Sequence, residues 1–404
     1  MNVNESSRGK QSFWNLILVL LFLFAIDFLD KSGIIISIAC LLCIVFAGSR
    51  QVPLSIGILV LFGISYVFSL MLYENLSLDI VMKFLFLPAM TYYLGYCYGK
   101  KTGNIGDVYK YALIIVAGFF MHSLLNFTSY LRVNGINFNA NYRWANEFWR
   151  DGTPISVILN SLYSAPMAFW CTSVLITKKE KWKKMIAAIC LGIIFFSMML
   201  YQNRTTILAV LIVVMIAVAK SWKNGFNMSA LIISVIIIVG LVGVWTFDLF
   251  GVRSFFVSTN IYNRLSGIAN ADRFQIWLSF LKGNPLLYPL GGRKVALYLN
   301  KPYVHNMWLD TWWRVGIIPF ACLVYMTIHS TKTMLELSKL CSPDSRLHVS
   351  ILNWMLLGLF INFLVEPVLE ANPFIFYIPL LITGAAKGIL CNVKNATACE
   401  PSSI

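Results

Sequence analysis

Three residues in this chain could combine an acid–base group with two fixed cations. His305 stands in KPYVHNMWLDTWWRVGIIPF (301–320), just ahead of an apolar run, with Asp310 and Arg314 close behind it. Arg204 stands in YQNRTT (201–206), a tight turn between two apolar runs with almost no loop to hide in. Arg273 opens DRFQIWLSFLKG (272–283), where Phe274, Ile276, Trp277, Phe280 and Leu281 have the spacing of one helix face. A guanidinium is planar, permanently charged, and presents a fork of donors that suits phosphate or carboxylate. An imidazole titrates at about pH 6.5 when unperturbed, so it can take a proton from a hydroxyl at working pH. Together the three describe a chemistry. The arginines hold a diphosphate and stabilise the charge that develops as it leaves, and the imidazole activates the attacking hydroxyl.

Each residue also has a plainer use. An arginine at a membrane surface can snorkel or attract anionic headgroups. A single histidine is most often a hydrogen-bonded interface residue, and that reading is kept for His122, His329 and His348. The outer loops hold no Asp-x-Asp pair, and no Cys/His spacing suits a metal. The sequence therefore assigns neither metal nor cofactor.

The elements that must position these residues are membrane helices. Of the 404 residues, 58% are hydrophobic and 12% charged, with a mean hydropathy of +0.73. A soluble domain carries about 25% charged residues, and a bilayer core needs about 20 apolar residues per helix. Runs of that kind recur along nearly the whole chain, which excludes a soluble enzyme. About twelve can be delimited: 13–30, 33–49, 52–72, 79–98, 111–130, 154–177, 185–201, 205–219, 229–247, 306–328, 349–365 and 373–390. The expectation is an all-α membrane protein, a single polytopic domain over 1–404. It has a smaller outer loop at 131–153 and a large one at 248–305, between the ninth and tenth helices.

Lys and Arg placement orients the chain. Lys10, Lys100, Lys101, KKEKWKK (178–184), Lys220, Lys223, Lys332, Lys339 and Arg346 all fall on one side, which is read as cytoplasmic with both termini. The net charge of +15 is then partly topogenic and not a nucleic-acid signal. The other side has a surplus too: Arg132, Arg143, Arg150, Arg204, Arg253, Arg264, Arg273, Arg293 and Arg314. All nine cysteines lie in spans or cytoplasmic segments, none in the two outer loops where an oxidising compartment could pair them.

QNRTTILAVLIV, NADRFQIWLSFLKGNPLLYPLGG and YVHNMWLDTWWRVGIIPF resemble, in this order, segments of the O-antigen ligase and polymerase superfamily, over roughly residues 185–330. The resemblance implies an integral glycosyltransferase of the GT-C kind in a bacterial inner membrane. It works at the periplasmic face on glycan linked to undecaprenyl diphosphate, without metal. By resemblance Arg204 and Arg273 contact the diphosphate, His305 is the base on the acceptor hydroxyl, and Asn306 orients the site. RWANEFWRDGTPIS (143–156) is similar to a first-loop segment of polymerases and adds Arg143 and Arg150 as supporting residues. A polymerase joins one lipid-linked repeat unit to another, with a chain-length regulator as a possible partner. A ligase moves the finished chain to lipid A-core. A flippase or other transporter of the same lipid-linked glycan stays open, although the spans carry few charges beyond Asp79, Lys83 and Glu366, all near ends. Arg253, Arg264 and Arg293 are expected to tolerate lysine.

Overall fold

The computed structural model describes residues 3–49, 51–138, 144–150, 153–177, 180–223, 272–293 and 303–398, with a few isolated positions between them. The expected span 229–247, part of the expected loop 248–305, and Arg143, Arg253 and Arg264 lie outside the described residues.

The described chain is helical apart from one small hairpin. In chain order the helices are α1 (Val3–Ala25), α2 (Ser32–Ala47), α3 (Leu54–Tyr73), α4 (Leu78–Thr102) and α5 (Ile105–Asn134). After the hairpin β1 (Trp144–Asn146) and β2 (Pro154–Ser156) come α6 (Val157–Thr177), α7 (Lys181–Leu200) and α8 (Thr205–Lys223). The last group is α9 (Asp272–Lys282), α10 (Met307–Val315), α11 (Ile317–Leu340), α12 (Pro343–Phe363), α13 (Val368–Ala371) and α14 (Pro373–Ala398).

Among the described residues, six helices are long and apolar enough to cross a membrane: Leu54–Tyr73, Leu78–Thr102, Ile105–Asn134, Lys181–Leu200, Ser345–Phe363 and Pro373–Asn395. Three shorter apolar helices accompany them, Ser12–Ala25, Ser32–Ala47 and Thr205–Ala217. Leu41, Val45 and Phe46 on α2 and Leu61, Ile64 and Phe68 on α3 are exposed. Such a surface is costly in water and is the default in hydrocarbon, where a helix keeps all its backbone hydrogen bonds to itself. The coarse expectation of a multi-pass all-α protein is therefore met.

The chain alternates direction, so its loops segregate to two ends. At one end Lys100 Nζ donates to Ser49 Oγ (3.0 Å) and Asn392 Nδ2 donates to the Lys100 carbonyl (2.6 Å). At the other, Arg314 reaches Glu74 (2.9 Å), Trp149 Nε1 donates to the Ile26 carbonyl (2.9 Å), and Tyr130 hydroxyl donates to the Leu200 carbonyl (3.3 Å). Every described member of the arginine surplus belongs to this second end.

α4 and α14 form the tightest helix pair, and small residues explain it. Gly95 and Gly99 on α4 and Gly384 and Gly388 on α14 form two small-xxx-small repeats in which each glycine meets backbone of the other helix. A Cβ at Gly99 would collide with the Ala385 carbonyl, and one at Gly384 with that of Tyr92. Between membrane helices, where apolar burial gives no net drive, such close backbone approach is a main source of attraction. Replacing Gly99 by leucine is expected to destabilise the purified protein by about 1–3 kcal/mol, the usual cost of overpacking. A lower thermal midpoint in detergent would show it.

One expected span is interrupted. The run 306–328 is split at Gly316 (φ +99°) into α10 and α11. The loop Pro289–Arg293 clamps the break. Ile317 N–H donates to the Pro289 carbonyl (2.9 Å), while Gly292 and Arg293 N–H donate to the Trp313 carbonyl (2.8 and 2.9 Å). At Gly316 a side chain would need both a disfavoured φ and space occupied by Pro289. A further departure is small: 131–153 is not wholly loop, since α5 runs on to Asn134 and the hairpin folds back onto it.

Candidate functional site

Arg204 is presented by a four-residue turn built to hold it. α7 ends at Leu200, and Gln202 takes a left-handed conformation (φ 55°) that lets Asn203 N–H bond back to the Met198 carbonyl (2.9 Å). Asn203 Oδ1 then accepts from Thr205 N–H (2.9 Å), satisfying an orphan donor where α8 begins. The buried Tyr201 anchors the turn by accepting from Asn160 Nδ2 (2.6 Å). Arg204 is left partly buried, and no carboxylate pairs with it among the described residues. Burial, and then the neighbouring Arg273, pull its guanidinium below its ordinary pKa.

Arg273, in the first turn of α9, donates to Thr205 Oγ1 (3.5 Å) and to Glu366 Oε1 (3.3 Å). Thr205 is the residue after Arg204, so the two guanidiniums are neighbours, and the buried Glu366 pairs with Arg273. The local balance is positive. Two cations brought together in a partly dehydrated setting repel unless an anion joins them.

His305 is held by its own loop. Asp310 in the first turn of α10 accepts from Val304 N–H (2.5 Å) and Asn306 N–H (3.0 Å) and also receives the His305 N–H. This ring of donors fixes His305 in a left-handed backbone (φ 59°), a conformation uncommon for a residue with a Cβ. The loop is joined to α9, because Trp277 Nε1 donates to the Val304 carbonyl (2.8 Å). Ile276, Phe280, Val304, Leu299 and Trp313 form a separate buried apolar cluster beneath. Trp277 lies one helical turn beyond Arg273 on the same face of α9, and Val304 adjoins His305. α9 is thus the strut that carries both Arg273 and the mooring point of the histidine loop.

Asn306 caps α10. Its side-chain oxygen accepts from Trp308 and Leu309 N–H (both 3.1 Å), so the oxygen is committed to the backbone. A ladder of charges runs alongside. Glu74 pairs with Arg314 (2.9 Å), Arg314 approaches Glu370 (3.9 Å), and Glu370 pairs with Arg293 (2.6 Å). Arg293 lies over the ring of Tyr303 (5.5 Å), which meets the His305 ring edge-on (6.1 Å). Burial raises the Glu370 carboxyl above the usual carboxylate range, while Arg314 and Arg293 oppose the rise. Arg293 is therefore no neutral control for lysine exchange, contrary to the expectation from sequence. It holds a buried carboxylate and an aromatic face at once.

Arg150 also departs from expectation. It pairs with Asp30 of the α1–α2 turn and lies 3.7 Å from Glu147 of the hairpin, so its charge is spent on carboxylates away from Arg204, Arg273 and His305. Burial raises the Glu147 carboxyl, and Asp27 and Asp30 add to the rise against Arg150. Ligand atoms of Asp27, His122 and Glu147 come within 4.8 Å of one another. They make a poor metal site, since both ring nitrogens of His122 are engaged. Nδ1 donates to the Ile26 carbonyl (3.0 Å) and Nε2 accepts from Asn126 Nδ2 (3.0 Å). His329 fits the plain reading, with Nε2 between Ser55 (2.9 Å) and Tyr92 (3.0 Å).

Sequence reading missed Glu366, Glu370, Glu74 and Thr205. In the sequence Glu366 is only a charge near a span end, and nothing in its neighbourhood pairs it with a residue 93 positions away. The chain matches no known family's sequence model, and no curated protein matches it.

Proposed function

We propose that this protein is a polymerase of lipid-linked surface glycan, working at the end of the helix bundle that carries His305. The observation that supports it is the Arg204–Arg273 pair, two neighbouring cations of which only Arg273 is paired with a buried glutamate among the described residues. A diphosphate leaving group supplies the missing negative charge. In this reading the bundle has twelve spans, sits in a bacterial inner membrane with both termini in the cytoplasm, and opens its site to the periplasm.

The donor is an oligosaccharide on undecaprenyl diphosphate, and the acceptor is a sugar hydroxyl of a second lipid-linked unit. As the hydroxyl oxygen attacks the anomeric carbon, His305 takes its proton. The anomeric carbon–oxygen bond breaks, and the electron pair leaves on the diphosphate held by Arg204 and Arg273. A single displacement inverts the anomeric centre, and no carboxylate nucleophile is needed for it. Asp310 contributes by fixing the backbone from which the imidazole projects.

Deleting the gene tests the assignment on a lipopolysaccharide gel. Loss of a polymerase still lets one repeat unit reach lipid A-core, so a core-plus-one band without a ladder is the expected result. Bare core with polymer stranded on undecaprenyl diphosphate would make the protein a ligase. Loss of all outward glycan, with lipid-linked units held on the cytoplasmic face, would make it a flippase, and an unchanged ladder would remove it from this glycan altogether.

A further inference from the structure

The same end of the bundle contains a cavity of about 1020 Å³, which the chemistry above does not use. Its walls are of two kinds. Asp30, Asp79, Lys83, Glu147, Arg150 and Asn372 line the polar part, where the α1–α2 turn, the hairpin and the start of α14 meet. Ile34, Ile38, Leu78 and Met82 continue it down between α2 and α4. Ile34, Ile38 and Leu78 are 58%, 43% and 78% exposed, so this lower part is open sideways. Trp144 stands at the rim, half exposed. A groove with polar groups above and lipid-accessible apolar groups below fits a molecule with a polar head and an apolar tail.

Asn372 indicates what the head is. It is only 4% exposed, and its Oδ1 accepts from Phe374 N–H (3.0 Å), which fixes the orientation of the amide. Its Nδ2 has no partner among the described residues. A buried donor left unmade costs about 1–3 kcal/mol, so the position calls for an acceptor from a ligand. Facing the same space are carboxylates, which accept from hydroxyls, and the donors Lys83 and Arg150. Donors and acceptors on one wall with an exposed indole at the rim suit a saccharide, whose hydroxyls both donate and accept. The lining acids Asp27, Asp30, Asp79 and Glu147 outnumber the lining cations Lys31, Lys83 and Arg150, so a simple anion meets no net positive charge here.

The groove is also next to the first site. The loop 364–372 sends Glu366 to Arg273, Glu370 to Arg293, and Asn372 to the groove wall. On the far side a buried chain of hydrogen bonds leads to the Arg204 turn from beside the groove residues Asp27 and Glu147. It runs from His122 through Asn126 (3.0 Å) and Asn160 (3.4 Å) to Tyr201 (2.6 Å). We infer that this groove binds a glycolipid by its sugar, with Asn372 and Glu147 on the saccharide and Ile34, Ile38 and Leu78 along the lipid. Its role as the acceptor subsite rests on the transferase reading; the binding itself does not.

The test uses full-length protein extracted in mild detergent, incubated with the chloroform–methanol glycolipid extract of the cells that express it, and examined by native mass spectrometry. An Arg204→Ala/Arg273→Ala background weakens the other site. In that background a bound species that loses sugar masses on activation is expected. Adding Glu147→Gln and Asn372→Ala should lower its occupancy at least tenfold. Trp144→Ala, an exposed change that leaves the fold alone, should lower it about threefold. Occupancy untouched by all of these changes, or a bound lipid with no sugar, would overturn the inference. So would a background already empty of glycolipid. The transferase reading fails separately, through normal glycan in cells carrying only Arg204→Ala, and that result would leave the groove standing.

Discussion

Replacing His305 by alanine is expected to lower glycan output by about 10²–10⁴-fold, the usual cost of removing a general base, while protein level in the membrane stays near normal. The backbone complicates the choice of variant, because residue 305 sits at φ 59°. Alanine adds strain there as well as removing the imidazole. Asparagine tolerates that conformation and glycine adopts it freely. His305→Asn and His305→Gly should therefore fold as well as wild type and be as inactive as His305→Ala. Near-normal output from either would end the catalytic role and leave His305 as an interface residue. Asp310→Asn offers a second view. It keeps the size of the side chain but weakens the acceptor for the N–H groups of Val304 and Asn306. Lower kcat with an unchanged donor KM is the expected pattern for a positioning residue.

Lysine at Arg204 or Arg273 is expected to restore little activity, with a loss of about 10²–10³-fold, comparable to removing one donor to a developing anion. The reason is the fork. Arg273 divides its guanidinium between Thr205 Oγ1 and Glu366, and an ammonium is one compact charge that cannot span both and also face a phosphate. Among the described residues no carboxylate pairs with Arg204, so its donors are the ones offered to a ligand. Arg132, exposed in the last turn of α5, serves as the control and should accept lysine without effect. Arg293 should not, because it joins Glu370 to Tyr303. Transfer rates with purified lipid-linked donor measure all four. Full activity of both Arg204→Lys and Arg273→Lys would reassign these residues to lipid contact or topology.

Much of this protein is legible without coordinates. Apolar runs of membrane length, interrupted by basic clusters on one side, determine a multi-pass helical protein because hydrocarbon admits a chain only with its backbone bonds closed inside each helix. YQNRTT reads as a turn with an exposed cation for the same reason: an arginine between two spans has nowhere apolar to go. The face of α9 was visible in its periodicity, since Ile276, Trp277 and Phe280 recur at helical spacing and are the residues that meet the histidine loop. Partnership was not visible. Glu366 lies 93 positions from Arg273, Glu74 lies 240 from Arg314, and Asn372 and Glu147 share a cavity wall only through folding. Arg150, Arg204 and Arg293 are alike in sequence, each a cation on the side read as outer. Tertiary structure separates them: among the described residues it supplies carboxylates to Arg150 and Arg293 and none to Arg204. Local pattern determines whether a segment enters the membrane because transfer free energy sums over neighbours in the chain. Which charge is cancelled and which is left for a ligand depends on distances of a few ångströms between helices, and only their packing decides those.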